Sequence, residues 1–156
     1  MTSAAGERIF VGLGSNLGDA AGTLRAAIDA LAALPGSALV ACSSFWRSAP
    51  VDADGPPYVN AVAELRSTLP PEALLSELQT IEQHFGRERP YRHAPRTLDL
   101  DLLCYGERRL STPRLTLPHP RLHERAFVLV PMAELNPGFA LPPPPADQAV
   151  ERIDPP

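Results

Sequence analysis

Two aspartates stand one residue apart in "HAPRTLDLDLLCYG", His93 to Gly106. Read as a strand, Leu98 to Cys104 puts Asp99 and Asp101 on one face, ~7 Å apart along the chain. Leu98, Leu100 and Leu102 take the other face. Aspartate is a poor strand residue, and two on one face repel each other. The leucine face sets the register, so the carboxylates form a fixed pair of oxygen donors. Such a pair suits Mg²⁺, which takes one or two carboxylates and fills its shell with water and phosphate. A solvated polar face is the plainer alternative. Just upstream, "GRERPYRHAPR" sets Arg87, Arg89, Arg92 and Arg96 within ten residues. The guanidinium fork matches phosphate oxygens, although a solvated basic loop is also common. Arginines beside a magnesium site recur wherever a polyphosphate undergoes transfer, so the combination is more specific than either half.

Other residues carry weaker signals. Tyr58 and Asn60 point the same way from one strand, as a flat heteroaromatic ligand would need for stacking and for reading its edge. Phe127 offers a second ring. The plainer reading is an ordinary aromatic at a strand start. His119, held between two prolines in "LPHPRLHER", suits a phosphate or acid–base contact, with Arg121 and Arg125 close behind; each taken alone reads equally as a surface residue. The glycine-rich "GLGSNLGD", Gly12 to Asp19, matches neither a phosphate loop nor a dinucleotide fingerprint and reads as a tight turn between strand and helix.

These residues need elements to hold them. Arg8 to Gly14 reads as a strand, followed by a helix from about Asp19 to Leu34 with Leu24, Ala27, Ile28, Leu31 and Leu34 as its apolar stripe. Pro35-Gly36 ends it. Ala38 to Ser48 reads as one strand. Tyr58 to Ser67 alternates, with Val59, Ala61, Ala63 and Leu65 on one face and Tyr58, Asn60, Val62 and Glu64 on the other. A second helix runs through "LPPEALLSELQTIEQHFG", its buried stripe formed by Leu74, Leu78, Ile81 and Phe85. The Asp-Leu-Asp strand follows, then a short helical region in "RLHERAFVLVPMAEL", then a loop from Pro142 with a small strand at Ala149 to Ile153. Two β-α-β halves predict an α+β fold, a ferredoxin-like βαββαβ sandwich with a mostly antiparallel sheet and a C-terminal extension. Helices cover one face of such a sheet. The other is expected to stay open for a ligand.

The chain has 156 residues, so residues 1–156 are expected to form a single domain with a real core. A net charge of −4 without a basic run argues against a nucleic-acid surface. No apolar stretch is long enough to span a membrane, and no signal peptide is evident. Cys42 and Cys104 show neither metal-ligand spacing nor a disulfide framework, which predicts a reduced, cytoplasmic compartment.

In order along the chain, "GLGSNLGD", "FWRSAP", "YVNAV", "PRTLDLDLL" and "LPHPRLHERAFVLVPM" resemble the motifs of the 6-hydroxymethyl-7,8-dihydropterin pyrophosphokinases of folate biosynthesis, from about Ile9 to Leu141. The pair "PRTLDLDLL" and "LPHPR" is the most specific part. The resemblance implies transfer of pyrophosphate from ATP to the hydroxymethyl group of the pterin, with release of AMP. It places two Mg²⁺ ions on Asp99 and Asp101, and the phosphates on Arg87, Arg96 and Arg89. Arg87, Arg96, Asp99 and Asp101 are then the catalytic set. His119 and Arg125 match nucleotide contacts, with Leu115, Thr116 and the backbone at Leu102 near the nucleoside. Gln79 and Glu82 match helix residues facing the nucleotide. The pterin is expected between Tyr58 and Phe127, with Asn60 and the backbone at Ser48 and Val51 reading its edge. His93-Ala94 stands where many members carry Trp-Gly. Small-molecule substrates, no nucleic acid, no membrane and a monomer are the expected partners and state.

Other classes fit less well. Nucleotidyltransferases place a Gly-Ser turn close before an acid pair, whereas Ser15 and Asp99 are separated by most of the domain. Glycosyltransferases with an Asp-x-Asp are usually much longer chains. A ferredoxin-like module binding a small ligand or RNA would not need Asp99, Asp101 and four arginines together.

Overall fold

A computed structural model describes residues 7–16, 19–49, 57–86 and 98–153. Its elements are β1 (Arg8–Ser15), α1 (Ala20–Ala32), β2 (Ser37–Cys42), β3 (Phe45–Ser48), β4 (Tyr58–Ser67), α2 (Pro71–Gly86), β5 (Asp99–Tyr105), β6 (Leu110–Ser111) and β7 (Thr116–Leu117), then a 3-10 turn (Leu122–Glu124), α3 (Ala126–Glu134) and β8 (Val150–Ile153). The main sheet runs β5-β1-β4-β3-β8, with β2 also on β4, and every pairing is antiparallel. The expected α+β, ferredoxin-like architecture is what forms.

The periodicities behave as the residue types dictate. Asp19 caps α1 by accepting from the Gly22 amide at 3.0 Å. Gly36, at φ +66°, turns the chain after it. Leu24, Ala27 and Leu31 of α1 and Leu74, Leu78 and Ile81 of α2 pack onto one face of the sheet, against Val11, Leu13, Ala61, Ala63, Leu65, Leu98, Leu100 and Leu102.

Two expectations are corrected. The stretch Ala38–Ser48 is two strands, not one. At Ser43 the backbone leaves the ladder: its amide donates to the Val62 carbonyl and its hydroxyl accepts from the Val62 amide, both at 2.9 Å. A side chain thus replaces one backbone rung. The second sheet face is also less open than expected. Phe10, Val62, Leu103 and Cys104 on that face pack against Leu122, Val128 and Met132, so the 3-10 turn and α3 cover half of it. The tail strand β8 forms on the β3 edge.

α3 is tied down at its far end by charge. Glu134 accepts from the Ser44 amide at 2.7 Å and from Trp46 Nε1 at 2.8 Å. Arg8 donates to the carbonyls of Leu135 and Asn136 at 3.2 and 3.0 Å while paired with the buried Glu64 at 2.9 Å.

Candidate active site

The uncovered half of the second face holds the polar residues. In antiparallel pairing, residues directly opposite share a face. Asp99 lies opposite Gly14, Gly14 opposite Asn60, and Asn60 opposite Trp46. Asp101 lies opposite Gly12, which faces Val62. Gly12 and Gly14 are therefore inside β1, as expected of the strand read at Arg8 to Gly14, and the turn read in "GLGSNLGD" does not begin at Gly12. They leave a trough between the carboxylates of β5 and the side chains of β4. A Cβ on Gly14 would stand 3.2 Å from Asn60 Oδ1.

At one end of the trough Tyr58 faces Ser48 across the β3–β4 pair. Asn60 Nδ2 donates to Ser48 Oγ at 2.8 Å, and both residues are buried. The amide is thus fixed in orientation beside the ring. Above the trough stand the 3-10 turn and the start of α3. Together these elements enclose a cavity of about 360 Å³, within the range of small-ligand clefts. Ser48, Tyr58, Asn60, Asp99, Asp101, Arg125 and Phe127 all line it. Its wall is acidic on β5, aromatic at Tyr58 and Phe127, and cationic at Arg121 and Arg125. The Arg125 guanidinium lies over the Phe127 ring, 5.4 Å from its centre.

His119 stands at the rim. Its amide donates to the Leu103 carbonyl at 2.8 Å, which holds the loop against β5. Its Nδ1 accepts from the Arg121 amide at 3.1 Å, so the neutral ring carries its proton on Nε2. Nε2 points at Asp101 Oδ1, 3.9 Å away. Burial lowers the His119 pKa first, and Arg125 and Arg121 lower it further against the pull of Asp101. The phenol of Tyr58 is pushed up, by burial first and then by Asp99.

The remaining expected residues lie outside this lining. Glu82 accepts from the Leu100 amide at 2.7 Å, covering an edge group of β5. Gln79 receives Arg114 Nη2 at 3.4 Å, on an arginine that also donates to Ser76 Oγ at 2.9 Å. Leu102 and Leu115 are buried in the helix-side core, and Thr116 is exposed on β7. Val51, Arg87, Arg89, Arg92, His93 and Arg96 lie outside the described residues.

Sequence reasoning did not assign Gly12, Gly14, Glu124 and Gln148 to the lining. The alternation Phe10-Gly12-Gly14 on the Asp99 face was a usable signal for the glycines. Glu124 and Gln148 had none, because one sits at a break between two helical segments and the other in a proline-rich tail. Chemically, the cavity can clamp a flat ring between two aromatic side chains. It can also hold charged oxygens between a carboxylate pair and two arginines.

Residues 10–137 match the family described as 7,8-dihydro-6-hydroxymethylpterin-pyrophosphokinase. Among curated proteins named 2-amino-4-hydroxy-6-hydroxymethyldihydropteridine pyrophosphokinase, that of Pseudomonas aeruginosa is 48% identical over 137 residues, covering 87% of this chain and 85% of its own. The protein of that name from Haemophilus influenzae is 46% identical over 134 residues, covering 85% and 84%. The one from Methylorubrum extorquens is 41% identical over 149 residues, covering 95% and 94%. A match over most of the chain, with identities of this size, shows that the chain belongs to the 7,8-dihydro-6-hydroxymethylpterin-pyrophosphokinase family.

Proposed function

We propose that this protein transfers pyrophosphate from ATP to the hydroxymethyl oxygen of 6-hydroxymethyl-7,8-dihydropterin, releasing AMP, as a step of folate biosynthesis. The observation that carries this reading is the shared cavity. One set of walls offers a ring clamp, Tyr58 and Phe127, beside a carboxylate pair, Asp99 and Asp101, and a cationic side, Arg121 and Arg125.

The chemistry asks for positioning more than for a protein nucleophile. The substrate hydroxyl oxygen attacks the β-phosphorus. The bond from that phosphorus to the oxygen shared with the α-phosphate breaks, AMP leaves, and the hydroxyl proton is lost. Tyr58 and Phe127 hold the pterin plane. Asn60, fixed by Ser48, presents its amide to the ring edge. Arg125, with Arg87, Arg89 and Arg96, neutralises the phosphates. His119 directs its Nε2–H toward the same region because the Arg121 amide occupies Nδ1.

The donor set fits magnesium. Asp99 and Asp101 lie on one strand face and line one cavity. Among the described residues no group of three or more acidic, histidine or cysteine side chains is gathered for a metal, so phosphate and water would complete the shell of each of two ions. Magnesium held there would draw charge from the phosphate oxygens as the transferring group develops it. Two unpaired cysteines, Cys42 and Cys104, fit a reducing cytoplasm.

The test is direct. The protein is incubated with Mg-ATP and 6-hydroxymethyl-7,8-dihydropterin, and the products are resolved by chromatography. AMP and pterin pyrophosphate are expected in equal amounts. ADP, free pyrophosphate without a modified pterin, or no turnover would each refute the reading.

A further inference from the structure

The first turn of α3 lacks the cap its sequence should supply. A helix begins with amides that have no partner inside it. Ser, Thr, Asp or Asn at the position before the helix usually provides an acceptor. Here that position is Arg125, a side chain with no acceptor atom, and it makes no capping hydrogen bond. Its backbone is extended, at φ −120° and ψ 115°, between the 3-10 turn and α3. The Arg125 carbonyl accepts from the Val128 and Leu129 amides, but no side chain at the break caps the first amides of α3, and the break carries Arg125 and Phe127 into the cavity.

The missing partner comes from 22 residues away. Gln148 Oε1 accepts from the Ala126 amide at 2.9 Å, and Gln148 Nε2 donates to the Glu124 carbonyl at 3.1 Å. One side-chain amide spans both sides of the break. Gln148 sits two residues before Val150, which pairs with Ser48 on the rung that continues to Tyr58. The tail thus connects the two walls of the clamp: β8 is fastened to the strand of Ser48, and Gln148 is fastened to the segment of Phe127.

We propose that Gln148 is a positioning residue that sets the distance between Phe127 and Tyr58, and so the affinity for the pterin, without touching the reacting atoms. The inference rests on the pterin reading of the cavity. The nucleotide contacts expected on α2 and β7 are not tied to Gln148, and only Arg125 lies in the segment it holds, so its loss weakens the hold on the pterin more than the hold on ATP.

The experiment uses the full chain with Gln148→Met, which keeps the length and removes both hydrogen bonds, and Gln148→Glu, which keeps the acceptor for Ala126. Amide exchange of residues 126–129 and steady-state AMP release are measured for each. Gln148→Met is expected to speed exchange of the Ala126 amide and to raise KM for the pterin by about five- to tenfold, the size of one lost hydrogen bond, with KM for ATP raised by less than about twofold through Arg125. Gln148→Glu is expected to keep the Ala126 protection and to raise the pterin KM less. Unchanged exchange in Gln148→Met overturns the proposal whatever the kinetics. Faster exchange with an unchanged pterin KM, or with the ATP KM raised as much as the pterin KM, overturns it as well. Failure of the pterin reading shows in the wild-type protein, which would release no AMP, and is thereby told apart from failure at Gln148.

Discussion

Replacing Gly14 by alanine adds one methyl group to the floor of the cavity. The new Cβ would lie 3.2 Å from Asn60 Oδ1 and 3.8 Å from Tyr58 Cδ1. The backbone at Gly14 is ordinary strand, so alanine fits its φ. Two terms then act on stability. Removing a strand glycine stabilises by about 0.5–1 kcal/mol, through the smaller entropy of the unfolded chain. The 3.2 Å contact must open by a few tenths of an ångström, against an amide held by Ser48 at 2.8 Å. Loosening that hydrogen bond costs about 1 kcal/mol. The terms nearly cancel, and Tm is expected within about 4 °C of wild type. Catalysis has no such compensation. A ring resting on Gly14 is lifted by the methyl, and a misplacement near 1 Å costs on the order of 10²-fold. AMP release should therefore show kcat/KM for the pterin lowered by about 30- to 100-fold. Affinity for a non-hydrolysable ATP analogue, measured by calorimetry, should be unchanged. A kcat/KM within about threefold of wild type at unchanged Tm would refute the idea that the pterin lies on the glycine floor.

Asp99→Asn and Asp101→Asn should each lose about 3 kcal/mol or more of transition-state stabilisation, roughly 10²-fold in kcat; near-normal turnover in either would sink the metal assignment. Burial pushes the Cys42 and Cys104 thiols up from 9.0 to about 11, with Glu134 adding to the shift at Cys42. An acid whose folded value is raised stabilises the fold below its unfolded value and loses that contribution as pH rises through the folded one, so Tm should fall between pH 9 and 11 more in the wild type than in a Cys42→Ala/Cys104→Ala variant. Equal slopes would contradict the burial argument. Glu134→Ala removes the acceptor of the single tryptophan, Trp46, and of the Ser44 amide. It should shift the tryptophan emission and lower stability by about 1–3 kcal/mol in denaturant titrations, and an unchanged spectrum would show that the Trp46 bond is not kept in solution.

What could be read from the chain follows from how local each signal is. The alternation at Tyr58–Ser67 and the Leu98-Leu100-Leu102 set are patterns within one element, and both faces form as read. The break at Ser43 was not legible, because it depends on one hydroxyl meeting the Val62 amide on a strand nineteen residues away. The glycines were placed in the strand, but their task was missed for a related reason. Only pairing with Asp101, Asp99 and Asn60 makes Gly12 and Gly14 the floor of the cavity. The cover over half of the second face was missed because α3 is apolar on nearly all sides and carries Pro131, so its period does not announce which side it buries. Gln148 was invisible, since a lone glutamine after a proline run has no pattern to detect.

The same strand must serve catalysis and packing within seven residues, and a bulge reconciles the two. Val11 pairs with Leu102, but Phe10 pairs with Cys104, so Leu103 is the extra residue. Before it, β5 alternates cleanly, with Asp99 and Asp101 in the cavity and Leu100 and Leu102 in the helix-side core. Across it, Leu103 and Cys104 both join the cluster beneath α3, and Tyr105 returns to the helix side, where its hydroxyl donates to the Leu69 carbonyl. A strand of strict alternation would bury Cys104 among the helices and set Tyr105 under α3. The bulge thus ends the polar face after Asp101 and starts an apolar one at once. At the same place the Leu103 carbonyl receives the His119 amide. The irregularity that lets α3 dock therefore also fixes the loop that brings His119 to Asp101. Closing the cavity roof and placing the rim histidine are, in this chain, consequences of one extra residue.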